Sequence, residues 1–273
     1  MLENKTILIT GGTGSLGYVV TERLLGYNIS SIRILSRNEF NQYEMQRKFK
    51  DSRLRFLVGD IRERDRLDRA MNGVDYVIHM AALKHVPVCE YNPIEAIRTN
   101  IGGSINVIDC AIDNNVEKVI AISSDKAVNP INLYGATKLC MEKLFIHSDS
   151  YVGTFSCIRF GNFTGSRGSV VPLIQEQAKS GKVTVTDKRM SRYWIPLTEA
   201  AGFTLKVLET MEGGEIFVPR MQNHNVVDVI KEIAPDAKME EIGRRSGEKI
   251  HEDLFNEDEI EKREEKENYW IIR

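Results

Sequence analysis

At 273 residues, with 42% hydrophobic and 28% charged residues, the chain is long enough for one full-sized domain plus a small lobe. A formal charge of −2 gives no electrostatic case for nucleic acid, and no apolar run approaches the roughly 20 residues that cross a bilayer. The four cysteines, Cys89, Cys110, Cys140 and Cys157, show neither CxxC metal-site spacing nor a disulfide framework; with no signal peptide expected at the amino terminus, they read as reduced residues of a cytoplasmic protein.

Thr6-Ile7-Leu8-Ile9-Thr10 is a β-prone apolar run that leads into Gly11-Gly12-Thr13-Gly14-Ser15-Leu16-Gly17 and then an amphipathic stretch. Strand, glycine turn and helix in that order form the first unit of a dinucleotide fold, where glycines let backbone approach pyrophosphate at a helix amino terminus. The glycines at 11, 14 and 17 depart from GxGxxG, so the placement between strand and helix carries the inference. A second strand over 32–35 ends in Ser36-Arg37-Asn38. An acid at that strand end would hold the ribose 2′-hydroxyl of NAD, whereas Arg37 accommodates a 2′-phosphate, so NADP is the expected cofactor.

A helix over 40–49 and a strand over 54–58 follow, closing on Gly59-Asp60-Ile61. Asp60 either accepts from an adenine amine or caps the next helix, expected over 63–71. After a strand over 74–79, the small Ala81 and Ala82 permit close approach of a cofactor, and Lys84 and His85 line the pocket edge. The helix expected over 93–114 turns Asn100 inward, to bond backbone that supports the site.

Residues 118–122 read as a buried strand whose carboxyl end delivers Ser123-Ser124-Asp125-Lys126, where open α/β sheets place their ligands. Tyr134 and Lys138 head a helical run and share one face. An ammonium beside a phenol lowers the phenol pKa, giving a base that takes a proton from an alcohol near neutral pH. A strand over 154–160 opens into a glycine-rich loop, 161–169, expected to face a substrate over the nicotinamide.

Beyond it lie a helix over 171–180, a strand over 183–185, and a basic segment, 188–194, whose charges beside aromatics fit a nucleotide diphosphate. A strand over 216–219, a helix over 226–234, a second basic loop over 243–249 and a charged tail over 257–267 complete the chain. The tail reads as a solvated helix or a frayed end. The expected fold class is α/β, a Rossmann-type doubly wound parallel sheet with a small C-terminal α/β substrate lobe. Residues 1–165 form the NADP-binding domain and 166–273 mainly the lobe, with later segments returning to the sheet.

The block from Ser124-Asp125-Lys126-Ala127 to Tyr134-Gly135-Ala136-Thr137-Lys138 resembles the extended short-chain dehydrogenase/reductase superfamily. Within it, the chain is similar over residues 5–253 to the nucleotide-sugar 4,6-dehydratases of polysaccharide biosynthesis, in the branch that inverts C5 of UDP-N-acetylglucosamine towards pseudaminic acid. Ala82-Leu83-Lys84-His85-Val86-Pro87, the run 165–170 and Gly247-Glu248-Lys249 support the likeness. Four departures stand out: Ser124 for threonine, Ser246 for proline, Met80 for alanine, and a shorter carboxyl terminus.

The resemblance implies a hydro-lyase. Tyr134, helped by Lys138, takes the 4-hydroxyl proton as hydride passes to NADP, and Ser124 bonds the same oxygen. A neutral Lys126 then removes the C5 proton, a protonated Asp125 donates to the departing 6-hydroxyl, and hydride returns to C6. Asp-Lys in place of the Asp-Glu of glucose-type dehydratases favours the inverting branch. Implied cofactor contacts are Gly11, Thr13, Gly14, Ser15, Leu16, Gly17, Ser36, Arg37, Asn38, Asp60, Ile61, Ala81, Ala82, Lys84, Asn100, Tyr134 and Lys138. Lys84, Asn162, Ser169, Val170, Arg192, Arg245 and Glu248 are the implied substrate contacts. No metal and no membrane partner are implied, and a homodimer or hexamer is. A 4-epimerase, a split-pathway enzyme releasing the 5,6-ene and a non-catalytic NADP-binding protein are the alternatives.

Overall fold

Ile7, Leu8 and Ile9 are all fully buried, which only a strand covered on both faces allows. In the computed structural model, which describes residues 2–151, 153–166 and 170–273, that strand lies inside a large parallel sheet. The first part of the chain runs β1 (Thr6–Thr10), α1 (Ser15–Leu24), β2 (Ser31–Ser36), α2 (Glu39–Phe49), β3 (Leu54–Val58), α3 (Arg64–Met71) and β4 (Tyr76–His79). It continues through α4 (Val86–Tyr91), α5 (Pro93–Ile97), α6 (Gly103–Asp113), β5 (Lys118–Ser124), α7 (Leu133–Ser148) and β6 (Thr154–Phe160). A π-helical segment, Arg98–Gly102, joins α5 to α6, and a single 3₁₀ turn, Asp125–Ala127, follows β5.

The remainder is β7 (Asn162–Thr164), α8 (Val170–Ala178), β8 (Lys182–Val185), β9 (Ser191–Pro196), α9 (Leu197–Thr210), β10 (Glu215–Pro219), β11 (Gln222–Asn225), α10 (Val226–Ile233), β12 (Lys238–Glu241), α11 (Glu257–Lys262), β13 (Glu264–Glu265) and β14 (Tyr269–Ile272). The main sheet has the order β13-β14-β10-β6-β5-β4-β1-β2-β3, parallel from β10 to β3, with β14 and β13 antiparallel at one edge. Chain order reverses between β1 and β4, so the crevice for a ligand opens at their carboxyl ends.

Alternation along the strands builds a core on each side of this sheet. Ile7, Ile9, Ile32 and Ile34 pack with Val20, Leu24, Leu205 and Leu208 of α1 and α9, whereas Leu8, Val77 and Val119 pack with Leu67, Val107 and Phe145 of α3, α6 and α7. A separate small core (Ile174, Val183, Val185, Ile230, Ala234) holds α8, α10 and the parallel pair β8 and β12 together.

Several segments differ from the sequence reading, among them strands β7, β9, β11 and β12, which it did not expect. Helix α9 carries Gly202 and three threonines, which dilute its helical signal; it is held by packing on α1. Helix α4 is a short element that opens with Pro87 in its first turn and ends before Pro93. The charged tail forms α11, capped reciprocally by Asn256 and Glu259, and then two edge strands. Glu259 and Glu142 together embrace the buried Arg159 guanidinium at 2.8–3.0 Å, which pins α11 to the end of β6. Among the described residues no helix is long and apolar enough to cross a membrane.

Candidate active site

The glycine turn after β1 is shaped by close approach. Gly11 has a φ of +67°, and a Cβ there would fall 2.8 Å from the backbone of Ala81. A Cβ on Gly17 would lie 2.5 Å from the carbonyl oxygen of Gly12, so this glycine lets α1 sit against the turn. No side chain caps α1, and its first turn carries no acid, so the positive helix end faces the cleft uncompensated.

That cleft, of about 620 Å³, runs along the carboxyl ends of β1, β2, β4 and β5. It is lined by every implied cofactor residue except Asn100. Asn100 is 1% exposed and its amide is used up inside the protein, accepting from Leu83 N–H at 2.8 Å and donating to the Leu83 carbonyl and to Thr137 Oγ1. It fixes the wall behind the cleft instead of touching a cofactor. Thr99 and Ser123 line the cleft, and their buried hydroxyls have no partner among the described residues. Buried hydroxyls are rarely left so, and a bound polar ligand would satisfy them. Glycine cradle, open helix end and orphaned hydroxyls together fit a dinucleotide.

At the end of β2, Ser36 accepts from Gln42, and the Asn38 side chain caps α2, which leaves the half-exposed Arg37 as the charged group of that end. Asp60 does not cap α3, whose cap position is Glu63. Its carboxylate instead accepts from Arg62 N–H at 3.0 Å and from the Arg62 guanidinium, 3.8 Å from Arg37. Burial opposes that charge, but the Arg62 bonds outweigh it and hold Asp60 below its ordinary pKa.

At the end of β5 the chain turns sharply, and three consecutive side chains converge. Ser124 Oγ donates to Asp125 Oδ1 at 3.0 Å and accepts from Lys126 N–H. Lys126 Nζ donates to the same Asp125 oxygen at 3.0 Å and to Asn162 Oδ1 at 3.3 Å. Ser124, Lys126 and Asn162 line the cleft; Asp125, wholly buried, stands behind them with Oδ2 unpartnered. The expectation that Asp125 meets the departing hydroxyl directly is therefore corrected: it reaches the cleft through Ser124 and Lys126.

Helix α7 starts at the cleft because Asn132 caps it, accepting from Gly135 N–H at 2.8 Å. Gly135 is needed there, since a Cβ would lie 2.1 Å from the Lys126 carbonyl oxygen. Tyr134 and Lys138 both line the cleft, but Lys138 Nζ donates to the Ile122 carbonyl at 2.7 Å. Burial pushes the Tyr134 phenol up to about 12, with Lys126 and Ser124 acting against it, and burial pushes Lys138 down to about 8. Lys138 is not among the groups that lower the phenol. For Lys126 the balance favours the charged form. Burial disfavours its charge, but Asp125 and Glu252 more than restore it, and its pKa lies above the ordinary lysine value.

Of the implied substrate contacts, Lys84, Asn162 and Val170 line the cleft, and Ser169 lies outside the described residues. Arg192, Arg245 and Glu248 are not among the lining residues. The Arg192 guanidinium donates to the carbonyls of Ser191, Lys249 and Ile250, so it clamps a loop; Arg245 pairs with Glu248 at 3.9 Å. The residue that sequence reasoning missed is Glu252, buried 3.7 Å from Lys126 Nζ. Its only signal was an acid three residues after Lys249, and an acid in a polar loop gives no sign of burial.

A parallel dinucleotide sheet with serine, tyrosine and lysine converging at its switch point defines an extended short-chain dehydrogenase/reductase. The chain matches the family described as polysaccharide biosynthesis protein over residues 7–273, and it belongs to that family. It is 47% identical to the UDP-N-acetylglucosamine 4,6-dehydratase (inverting) of Campylobacter jejuni subsp. jejuni, over 100% of this chain and 84% of the relative. It is 42% identical to a UDP-glucose 4-epimerase of Rickettsia conorii, again over 100% of this chain and 84% of the relative. The X-ray structure of Pen from Bacillus thuringiensis superposes with a TM-score of 0.96 at 42% identity, covering 99% of this chain and 90% of that one.

Proposed function

We propose that this protein is an NADP-dependent nucleotide-sugar dehydratase that acts on UDP-N-acetylglucosamine and yields the 4-keto-6-deoxy sugar inverted at C5. The observation that carries the reading is Lys126 at the cleft wall, 3.0 Å from Asp125 and 3.3 Å from Asn162, on the same rim as Ser124 and Tyr134. An alcohol oxidation alone needs only the latter two with Lys138. The additional amine is what removal of a carbon-bound proton calls for. The inverting dehydratase among the relatives supports the choice of substrate.

The glycine turn 11–17, Arg37, Ala81 and Ala82 would hold the nicotinamide cofactor, which would supply reversible hydride storage between C4 and C6 of the sugar. Tyr134 takes the proton of the 4-hydroxyl, and Ser124 bonds that oxygen. Lys126 takes the C5 proton, which the C4 ketone has made acidic. In its protonated form Asp125 supplies the proton of the leaving 6-hydroxyl through Ser124, which turns its hydroxyl from Asp125 to the departing oxygen, passes its own proton on and takes that of Asp125. Arg37, the cation at the β2 end, supports NADP over NAD. Arg37→Ala is expected to weaken NADP(H) binding about 10- to 100-fold with little change for NAD(H), as for loss of one charge-assisted contact. We place the protein in the cytoplasm as a homodimer or hexamer; the exposed Val88, Tyr91, Ile94 and Ile97 on α4 and α5 support self-association.

Proton NMR of the protein with NADP and UDP-N-acetylglucosamine in deuterated water tests the reading. A new methyl singlet, deuterated at the neighbouring C5, and couplings of the inverted sugar are the expected result. Vinyl signals would move the assignment to release of the 5,6-ene. A 4-epimerase is the second reading, favoured by the charge that two carboxylates keep on Lys126. It would give the C4 epimer with the 6-hydroxyl intact and no methyl signal.

A further inference from the structure

Glu252 stands on the loop between β12 and α11, 5% exposed, in a place its own charge does not explain. Its Oε1 lies 3.7 Å from Lys126 Nζ; its Oε2 lies 3.8 Å from Lys249 Nζ and has no hydrogen bond. The loop is held by other means. Arg192 donates to the Lys249 and Ile250 carbonyls, Ser191 N–H donates to Ile250, and Ser191 Oγ meets His251 Nδ1 at 2.8 Å. Lys249 Nζ donates to the Val128 carbonyl at 2.6 Å, which ties the same loop to the turn after β5. Several elements therefore converge to keep a carboxylate beside Lys126.

The charged groups around Glu252 are Asp125 and Lys126 from that turn, Arg192 from β9, and Lys249 from its own loop. Asp125 Oδ1 is already occupied by two donors, whereas among the described residues neither oxygen of Glu252 holds a hydrogen bond of ordinary length. Glu252 thus has room for a proton on the oxygen that faces Lys126, whereas the Asp125 oxygen facing Lys126 is already taken.

We infer that Glu252 is the proton partner of Lys126, taking the ammonium proton once substrate fills the cleft and so freeing the lone pair that attacks the C5 hydrogen. The inference rests on the dehydratase reading above. In the first step an N–H bond of Lys126 breaks and an O–H bond forms on Glu252 Oε1, turning an ion pair into a neutral pair of the same total charge. Lys126 then takes the C5 hydrogen as a proton, and the C–H electron pair enters the enolate of the C4 ketone. When Lys126 gives that proton up, Glu252 returns its own to the amine. Burial, which raises the Glu252 pKa against the opposing pull of Lys126, favours the neutral pair, and exclusion of water by the sugar favours it further. Glu252 touches Lys126 and not the cleft, so it acts as a positioning and proton-holding residue.

The pH dependence of C5 deuteration separates this role from a structural one. Between its two macroscopic pKa values the wild-type pair holds one proton, so its neutral form is a constant fraction and the elimination rate is flat from about pH 7 to 9. In Glu252→Gln the lysine can lose its proton only to solvent. The rate is expected to fall about 10²- to 10³-fold at pH 7 and to climb close to tenfold per pH unit. Glu252→Asp should restore the flat profile. A merely structural glutamate would give a rate lowered by one factor at every pH, and that result overturns the inference. As a reading without substrate, the ¹³Cε signal of Lys126, assigned by its absence in Lys126→Arg, should titrate at lower pH in Glu252→Gln; an unchanged titration also overturns it. A wild type that forms no C5-deuterated product removes the dehydratase reading and this inference together, whereas an active wild type with an equally flat Glu252→Gln removes the inference alone.

Discussion

Lys138 rests its ammonium on neutral partners, the Ile122 carbonyl at 2.7 Å and the Met141 sulfur at 3.4 Å, whereas Lys126 stands between Asp125 at 3.0 Å and Glu252 at 3.7 Å. Both lysines line one cleft and both are desolvated. Burial carries Lys138 down to about 8, but the two carboxylates carry Lys126 above its ordinary value. The difference comes from where each side chain is rooted. Helix α7 aims Lys138 across the strand end at backbone, while the turn after β5 places Lys126 beside its own neighbour Asp125 and under a distant loop. A buried lysine is thus made acidic or basic by what its surroundings add to desolvation, and one site can hold both kinds.

The largest effect should come from removing one side of this contrast. Lys126→Ala is expected to lower formation of the methyl product about 10³-fold or more, within the range for loss of an acid–base group, while NADP binding persists. Tyr134→Phe should abolish the earlier oxidation instead. Equal loss of cofactor binding in both variants would reduce the pair to a structural role. Because Lys126→Ala leaves Asp125 without its cation, melting of the variant must be followed alongside, with a loss on the order of 3–5 kcal/mol expected.

The other lysine should be visible in stability against pH. Below about pH 8, Lys138 is protonated in both folded and unfolded states, and the penalty for burying its charge is fully present. Between about 8 and 10.5 the unfolded chain binds more protons, so this lysine lets stability rise with pH, by up to ~3 kcal/mol. Urea unfolding should show wild type gaining that much on Lys138→Met across the window. The raised pKa of Lys126 acts in the opposite sense and above it, its contribution being lost only as pH rises through that folded value. A Lys138→Met variant that tracks wild type at every pH would mean that the amine keeps an ordinary pKa.

The dinucleotide half was legible because its signals are local. Strand β1, the glycine turn and α1 follow one another within 24 residues, and β3 and β6 stand where apolar runs put them. The Ser124 to Lys138 block could be found for the same reason. What escaped was non-local. Glu252 acquires its meaning from a loop that returns over the β5 turn, and Arg192 spends its guanidinium on that loop's carbonyls instead of a diphosphate. Asn100 bonds backbone as expected but does not line the cleft as an implied cofactor contact should, and its position in a π-helical segment could not be seen in the pattern. Helix α9 and strands β13 and β14 hide behind glycine, threonine and alternating charge, and they are assembled by packing and edge pairing with the main sheet.

The smallest expected effect is also the sharpest check on the contrast. Asn162 Oδ1 accepts from Lys126 Nζ at 3.3 Å, a long bond to a neutral, partly exposed group. If the carboxylates govern the ionisation of Lys126, Asn162→Ala removes a partner worth about 1 kcal/mol and should slow C5 deuteration only about fivefold, by the same factor from pH 7 to 9. Asn162 also lines the cleft, so part of even that loss should appear in KM for the nucleotide sugar. A pH-dependent loss as large as that of Glu252→Gln would instead make the amide the group that sets the charge on Lys126. The two lysines would then differ by the geometry of their neutral acceptors and not by the acids around one of them.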